Sequence, residues 1–362
     1  GTVLLFSVLH QNKIIPPSQI TPNLFFKIPH SKLSPKNYSI KSNFITSTRF
    51  SPEIQLNPNV LITTRETIYL YQIQQDNSSK WTFSFQSGKN ANLLSFDCPS
   101  IKSTNIDFKP NFLHEFNDIR MNNFISSDFY SSSTIFSTSS NSASLFDLNS
   151  THKPSILSLI PQTDHFHITS SDLNKQFSEL FLLGYDNGSV SLFDMRQQPE
   201  NLSSKFTINT NQFVNSDHKD RFIEIKNLHF SPNNVFFSVR TFGDLLIFDI
   251  RNPNSCYSQK DVQWFKNMDS ASLIGLENDK FGLEFIDDIR IMTGIYDEKM
   301  LIVDFENHIN KTVVMSKPDE KKNYDPILNQ VNCISINPVK DLIASSCNNV
   351  LYFHTIDQAD NS

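Results

Sequence analysis

The stretch FLLGYDNGSVSLFDMRQ, Phe181 to Gln197, reads as two short apolar runs joined by a polar turn and ending in Phe-Asp-Met-Arg. Each run has the length and the aromatic or β-branched content of a strand. Between them Asp186-Asn187-Gly188 supplies residues that accept positive φ or bond to their own backbone. The spacing therefore predicts a tight hairpin.

The same template recurs along the chain. NVLITTRETIYLYQI closes at Ile73, STIFSTSSNSASLFDL at Leu148 and the opening stretch at Met195. NVFFSVRTFGDLLIFDI closes at Ile250, DIRIMTGIYDEKMLIVDF at Phe305 and DLIASSCNNVLYFHT at Thr355. Successive ends lie mostly about 50 residues apart, a period that marks a repeat architecture. Other strand-like runs precede the hairpins. FITSTRFSP, FIEIKNLHFSP and VNCISINP alternate apolar and polar residues and close on Ser-Pro or Asn-Pro. Period-two alternation indicates a half-buried antiparallel strand, and no helical stripe competes with it.

Four short strands per unit at this period predict an all-β fold, a seven-bladed WD40-type β-propeller spanning 1–362 as a single domain. The opening GTVLLFSV reads as a strand of a first blade that is incomplete at its N-terminal side. Wider spacings mark two insertions, a hairpin-like segment at 18–38 and an inter-blade segment at 75–115. Phe146-Asp147, Phe193-Asp194 and Phe248-Asp249 stand where such blades carry Trp-Asp. A ring there packs between blades without needing a partner for an indole N–H, and the Asp is expected to bond within its own turn.

Composition narrows the function classes. The net charge is −6 with no block of Lys or Arg, which argues against nucleic acid as the main partner. No apolar run approaches the roughly 20 residues of a membrane-spanning helix, so no membrane partner is expected. The 362 residues hold 8 glycines, so turns fall mostly to Asn, Asp, Ser and Pro. Cys98, Cys256, Cys333 and Cys347 form no CxxC pair and read as buried, reduced thiols. The Asn187-Gly-Ser and Asn310-Lys-Thr sites arise readily in a chain this rich in Asn and Ser. The expected compartment is the cytoplasm, with the nucleus as an alternative.

Enzyme signatures are missing. HExxH, GxSxG, P-loop and GxGxxG patterns do not occur. His165 and His167 point to one strand face but have no third ligand nearby, and Asp287-Asp288 reads as a solvated turn pair. No convergent set of His or carboxylates around a central channel is evident. No catalytic residue, metal or cofactor is expected.

Several ordered segments together resemble the WD-repeat regulatory B subunits of protein phosphatase 2A. They are Asp194-Met195-Arg196, then Arg240 before a turn, then Glu277-Asn278-Asp279, then Met292-Thr293-Gly294 with Tyr296. The likeness is good over about 165–356 and thinner but collinear before it, through ITSTRFSP, LITTRETIYLYQI and HEFNDIRMNNFISSDF. The resemblance implies a non-catalytic subunit that binds a helical-repeat scaffold subunit and presents phosphoprotein substrates to a catalytic subunit. It implies scaffold contacts at Phe25, Phe26 and Ile28, within Ser18 to Tyr38, and substrate contacts at Asp164, His167 and Arg240. Asp194, Met195, Arg196, Met292, Thr293, Gly294 and Tyr296 are expected to be structural. Departures fall on loops: the family's acidic positions align with Ser139-Ser140 and Ser42-Asn43, and a basic loop is shortened to SKPDEKKNYDP. Two alternatives are a WD-repeat scaffold of another multiprotein complex and a hydrolase propeller.

Overall fold

A computed structural model describes residues 2–6, 9–10, 13–14, 22–27, 45–50, 59–65, 68–72, 86–87, 93–95, 111–116, 123–148, 155–159, 166–176, 179–197, 202–214, 224–262, 281–296, 299–314, 330–337, 342–347 and 350–355. Nearly all of its regular structure is antiparallel strand. Strand β1 (Thr2–Phe6) pairs with β4 (Pro22–Lys27), and β2 (Leu9–His10) pairs with β3 (Lys13–Ile14). Of these strands only β4 falls within the 18–38 segment.

Six larger sheets follow in chain order. The first contains β5 (Ile45–Phe50), β6 (Asn59–Thr64), β7 (Ile68–Gln72) and β10 (Asn111–Phe116). Between β7 and β10 the chain carries β8 (Gln86–Ser87) and β9 (Leu93–Ser95). The second sheet contains β11 (Phe124–Ser131), β12 (Thr134–Ser139), β13 (Ala143–Asp147) and β14 (Ser155–Leu159). The third contains β15 (Ile168–Leu173), β16 (Leu180–Tyr185), β17 (Ser189–Asp194) and β18 (Phe206–Asn209). The fourth contains β19 (Asn227–Phe230), β20 (Phe236–Arg240), β21 (Asp244–Asp249) and β22 (Cys256–Asp261). The fifth contains β23 (Leu283–Phe285), β24 (Arg290–Gly294), β25 (Lys299–Asp304) and β26 (Ile309–Val314). The sixth contains β27 (Val331–Asn337), β28 (Leu342–Cys347) and β29 (Val350–Thr355), extended by β9 and β8.

The core is divided among the seams between these sheets. Leu61, Ile68 and Leu70 of the first sheet meet Phe124, Phe129 and Phe146 of the second. Phe136 and Leu145 of the second meet Ile168, Phe181 and Leu183 of the third. Leu182, Val190 and Leu192 of the third meet Leu228, Phe237 and Phe248 of the fourth. The fourth meets the fifth through Phe236, Leu245, Ile247, Phe285, Ile291 and Phe305. Met292, Met300 and Ile302 of the fifth meet Val331, Ile334 and Ile343 of the sixth. Alternate residues of one strand thus belong to different seams. Phe237 faces back to the third sheet while its neighbour Phe236 faces forward to the fifth. This is why the hairpins read as continuous apolar runs, since period two cannot show when both faces are buried.

A backbone bond recurs at the seams. The amide of Phe124 donates to the carbonyl of Arg65, Ile168 to Ser140, Ile225 to Tyr185 and Val331 to Ile295. Close approach at two of these points depends on glycine. A Cβ on Gly184 would collide with Ile225, and one on Gly294 would press into the Val331 carbonyl and side chain. Gly188 holds φ at 80°, as the Asp186-Asn187-Gly188 turn requires. We expect Gly294→Ala to cost about 1–3 kcal/mol through this overpacking. A urea titration should show a lower midpoint with an unchanged slope.

Candidate functional site

The Phe-Asp-Met-Arg ending forms a closed unit. Asp194 Oδ1 accepts from the Arg196 amide at 3.1 Å and from its Nε at 2.8 Å. Its Oδ2 accepts from Arg196 Nη2 and from Lys205 Nζ, both at 2.6 Å. The Arg196 bonds hold the Asp194 carboxyl far below the usual carboxylate range. Met195 packs beside Phe181 and Phe193, whose rings stack at 5.1 Å. One sheet later, Asp249 accepts from the amide, Nε and Nη2 of Arg251 in the same way. In the fifth sheet Asp304 takes Asn307 instead. Asp-Met-Arg is thus one instance of a turn lock that Asp-Ile-Arg repeats.

Arg240 does not face a substrate. Its side chain is 1% exposed. Its Nη1 donates to the carbonyls of Thr241, Phe242 and Asp244, and its guanidinium lies 4.3 Å from the Phe281 ring centroid. Tyr296 packs edge-on against Phe281 at 5.3 Å, so two motif residues far apart in sequence meet around one ring. The expectation of a substrate contact at Arg240 is corrected: the arginine folds the β20–β21 turn onto the fifth sheet. Thr293 Oγ1 and the Gly294 amide both donate to the Gly282 carbonyl, and Met292 is buried in the fifth–sixth seam.

A charged cluster that no sequence motif announces lies on the first strands of five sheets. Arg49 of β5, Asp128 of β11, Asp172 of β15, His229 of β19 and Glu284 of β23 occupy one column, each directly before an apolar residue. Arg49 Nε donates to Asp128 Oδ2 at 3.2 Å across the first seam. His229 bridges three sheets: Nδ1 lies 2.8 Å from Asp172 Oδ2, and Nε2 lies 2.9 Å from Glu284 Oε1. Asp172 Oδ2 also accepts from the Phe230 amide at 2.8 Å. Burial alone would lower the imidazole, but the two carboxylates outweigh it and raise His229 to about 10. Burial likewise acts to raise Asp172 and Glu284, and His229 overcomes it, holding both below their ordinary values.

With a carboxylate on each nitrogen, His229 donates twice and is cationic, so it cannot act as a general base. The cluster is internally satisfied, and no group of His, Cys, Asp and Glu suited to a metal occurs among the described residues. Among the cysteines, Cys347 is buried, Cys256 half-buried and Cys333 exposed, so burial is not common to them all; Cys98 lies outside the described residues. Burial pushes the Cys256 thiol up to about 11 and makes it unreactive.

A second feature lies on the connecting loops. His167 Nδ1 is 3.0 Å from Asn141 Oδ1 in the β12–β13 turn. The His167 amide donates to Asp186 Oδ1 in the β16–β17 turn. Asn211 Nδ2 donates to the Asn187 carbonyl, which adds the turn after β18. These loops form one connected rim, on which Phe166 is 40% exposed. Of the expected contact residues only His167 is placed here. Asp164 and Ile28 lie outside the described residues, as do Glu277, Asn278, Asp279 and the side chains of Phe25 and Phe26.

No family model matches the sequence, and no curated protein matches it. Among solved structures 1138 chains match, so the fold is common and the likeness carries no function. One is Raptor from Chaetomium thermophilum, with a TM-score of 0.60 at 8% identity, covering 88% of this chain. The chain spans 24% of the length of that protein. The chain has an all-β fold of successive four-stranded antiparallel sheets, consistent with the blades of a β-propeller. No helix among the described residues is long and apolar enough to cross a membrane.

The His229 bridge has a defined pH signature. Folding raises the His229 pKa from 6.5 to about 10, so the native state holds this proton more tightly than the unfolded chain does. Its stabilising contribution is therefore complete below about pH 6.5 and fades as pH rises toward 10. Asp172 and Glu284 shift the other way, so their contribution is lost on acidification. His229→Leu strands two buried carboxylates and should cost about 3–5 kcal/mol near neutrality. Denaturant titrations from pH 6.5 to 10 should decline for the native chain and lose that component in the variant. An identical slope in both would refute the cationic bridge.

Proposed function

We propose that this chain is a non-catalytic interaction scaffold, and more finely the substrate-targeting subunit of a protein phosphatase 2A assembly. The coarse reading rests on the loop rim. Loops from neighbouring sheets are tied to one another by polar side chains and carry an exposed aromatic ring, an arrangement suited to gripping a protein segment. The inner cluster, with both nitrogens of its histidine committed, supplies no group for chemistry.

The finer reading rests on the ordered sequence segments from Asp194 to Tyr296. In it, Asp164 and His167 contact substrate and Phe25, Phe26 and Ile28 contact a helical-repeat scaffold subunit. Docking raises the local concentration of a phosphosite beside the catalytic subunit's active centre. A WD-repeat scaffold of a different complex remains the second reading, favoured by the recurrence of the Asp-x-Arg lock in successive sheets, which makes that segment less specific to one family.

Affinity purification of the tagged chain distinguishes the two. The finer reading expects a helical-repeat protein and a metal-dependent phosphatase in the eluate, with phosphatase activity. A stable complex lacking both leaves only the general scaffold. Changing Phe25 and Phe26 together to Ser should weaken recovery of the helical-repeat protein while the melting temperature stays unchanged. A collapse of the fold would instead place both rings in a core.

A further inference from the structure

The sixth sheet is completed by residues from far earlier in the chain. β9 leaves the chain between β7 and β10 of the first sheet and pairs antiparallel with β29, Leu93 opposite Tyr352, Leu94 opposite Leu351 and Ser95 opposite Val350. β8 then adds a fifth strand through Gln86 opposite Ser95 and Ser87 opposite Leu94. In the second to fifth sheets the outer strand is the next segment of the same repeat. The sixth sheet alone among these takes its outer strands from another repeat, and its donor is the insertion that the sequence reads only as an interruption at 75–115.

We infer that Gln86–Ser95 is a latch that closes the repeat array by tying its first sheet to its last. A seam between consecutive sheets is held by covalent continuity as well as packing, whereas the first and last sheets are separated by the whole chain. A strand anchored at both ends in the first sheet and hydrogen-bonded to the last supplies the missing connection without a chain terminus. The closing ladder is short. β9 covers three of the six residues of β29, while β26 covers all six of β25 and β22 covers five of the six in β21. The latch is therefore the weakest outer ladder among these sheets. Its release leaves the β29 edge with unpaired amides and carbonyls, the condition under which a sheet accepts a further strand.

Two measurements test this. In the first, Leu94→Cys and Leu351→Cys are combined and the chain is oxidised. Directly opposed antiparallel residues have the Cα separation that a disulfide needs. Peptide mapping should then find the 94–351 bridge in most molecules; bridging only to the native cysteines, or none, overturns the pairing. In the second, Leu94→Pro removes a ladder donor from β9. Hydrogen exchange at 350–355 should accelerate at least about tenfold while the Leu180–Tyr185 amides keep their protection. Unchanged exchange at 350–355 overturns the latch, and the disulfide variant still decides the matter if the proline variant fails to fold.

Discussion

Everything in this fold depends on sheets that are apolar on both faces. β20 has all five residues buried, and they divide between two seams: Phe237 and Val239 on one side, Phe236 on the other. Such a sheet has no stable existence by itself, because either face left in water exposes rows of Phe, Leu and Ile at about 25 cal/mol per Å² of apolar area. Each sheet must therefore be covered twice, and an array of sheets in series meets that demand for every member except the two at its ends. The recurrent amide-to-carbonyl bond at the seams fixes how far each sheet advances on the last.

Near the axis the same stacking creates an electrostatic problem. One position on each inner strand faces its counterparts in neighbouring sheets, too crowded for full hydration. Like charges gathered there would oppose closure. The chain places Arg49 against Asp128, and His229 between Asp172 and Glu284, so three contacts of this column join opposite charges. Burial opposes the charged forms of Asp172, His229 and Glu284. Those forms persist because His229 faces a carboxylate across each of its two seams.

The architecture was legible because it repeats. Turn residues, paired apolar runs and the Ser-Pro or Asn-Pro closures recur at one period, and the strands fall where those signals place them. The inner cluster was not legible for the opposite reason. Arg49, Asp128, Asp172, His229 and Glu284 lie in five different repeats, and none is adjacent to another in sequence. Only superposing those five repeats shows a charged residue directly before the same apolar position; the last repeat carries Ser335 there. Asp-Met-Arg misled differently: it looked family-specific, whereas Asp249 and Arg251 build the same geometry with Ile between them. Arg240 misled because the family resemblance implied a substrate contact there, yet it is held by three carbonyls and an aromatic face.

These constraints also locate the surface that the packing leaves free. The strands use both faces for neighbouring sheets, and the axial column is paired within itself. What stays available is the loops at the ends and the outermost strands. The three large apolar residues left exposed among the described residues follow that division: Phe166 sits on the loop rim, Tyr257 and Ile309 on the outer strands β22 and β26. The rim residues also bond to one another through side chains such as Asn141 and Asp186. Substitutions there change the surface offered to a partner without disturbing the packing that holds the sheets. The rim surface can therefore change while the Gly184 and Gly294 contacts, the turn locks and the His229 bridge stay fixed.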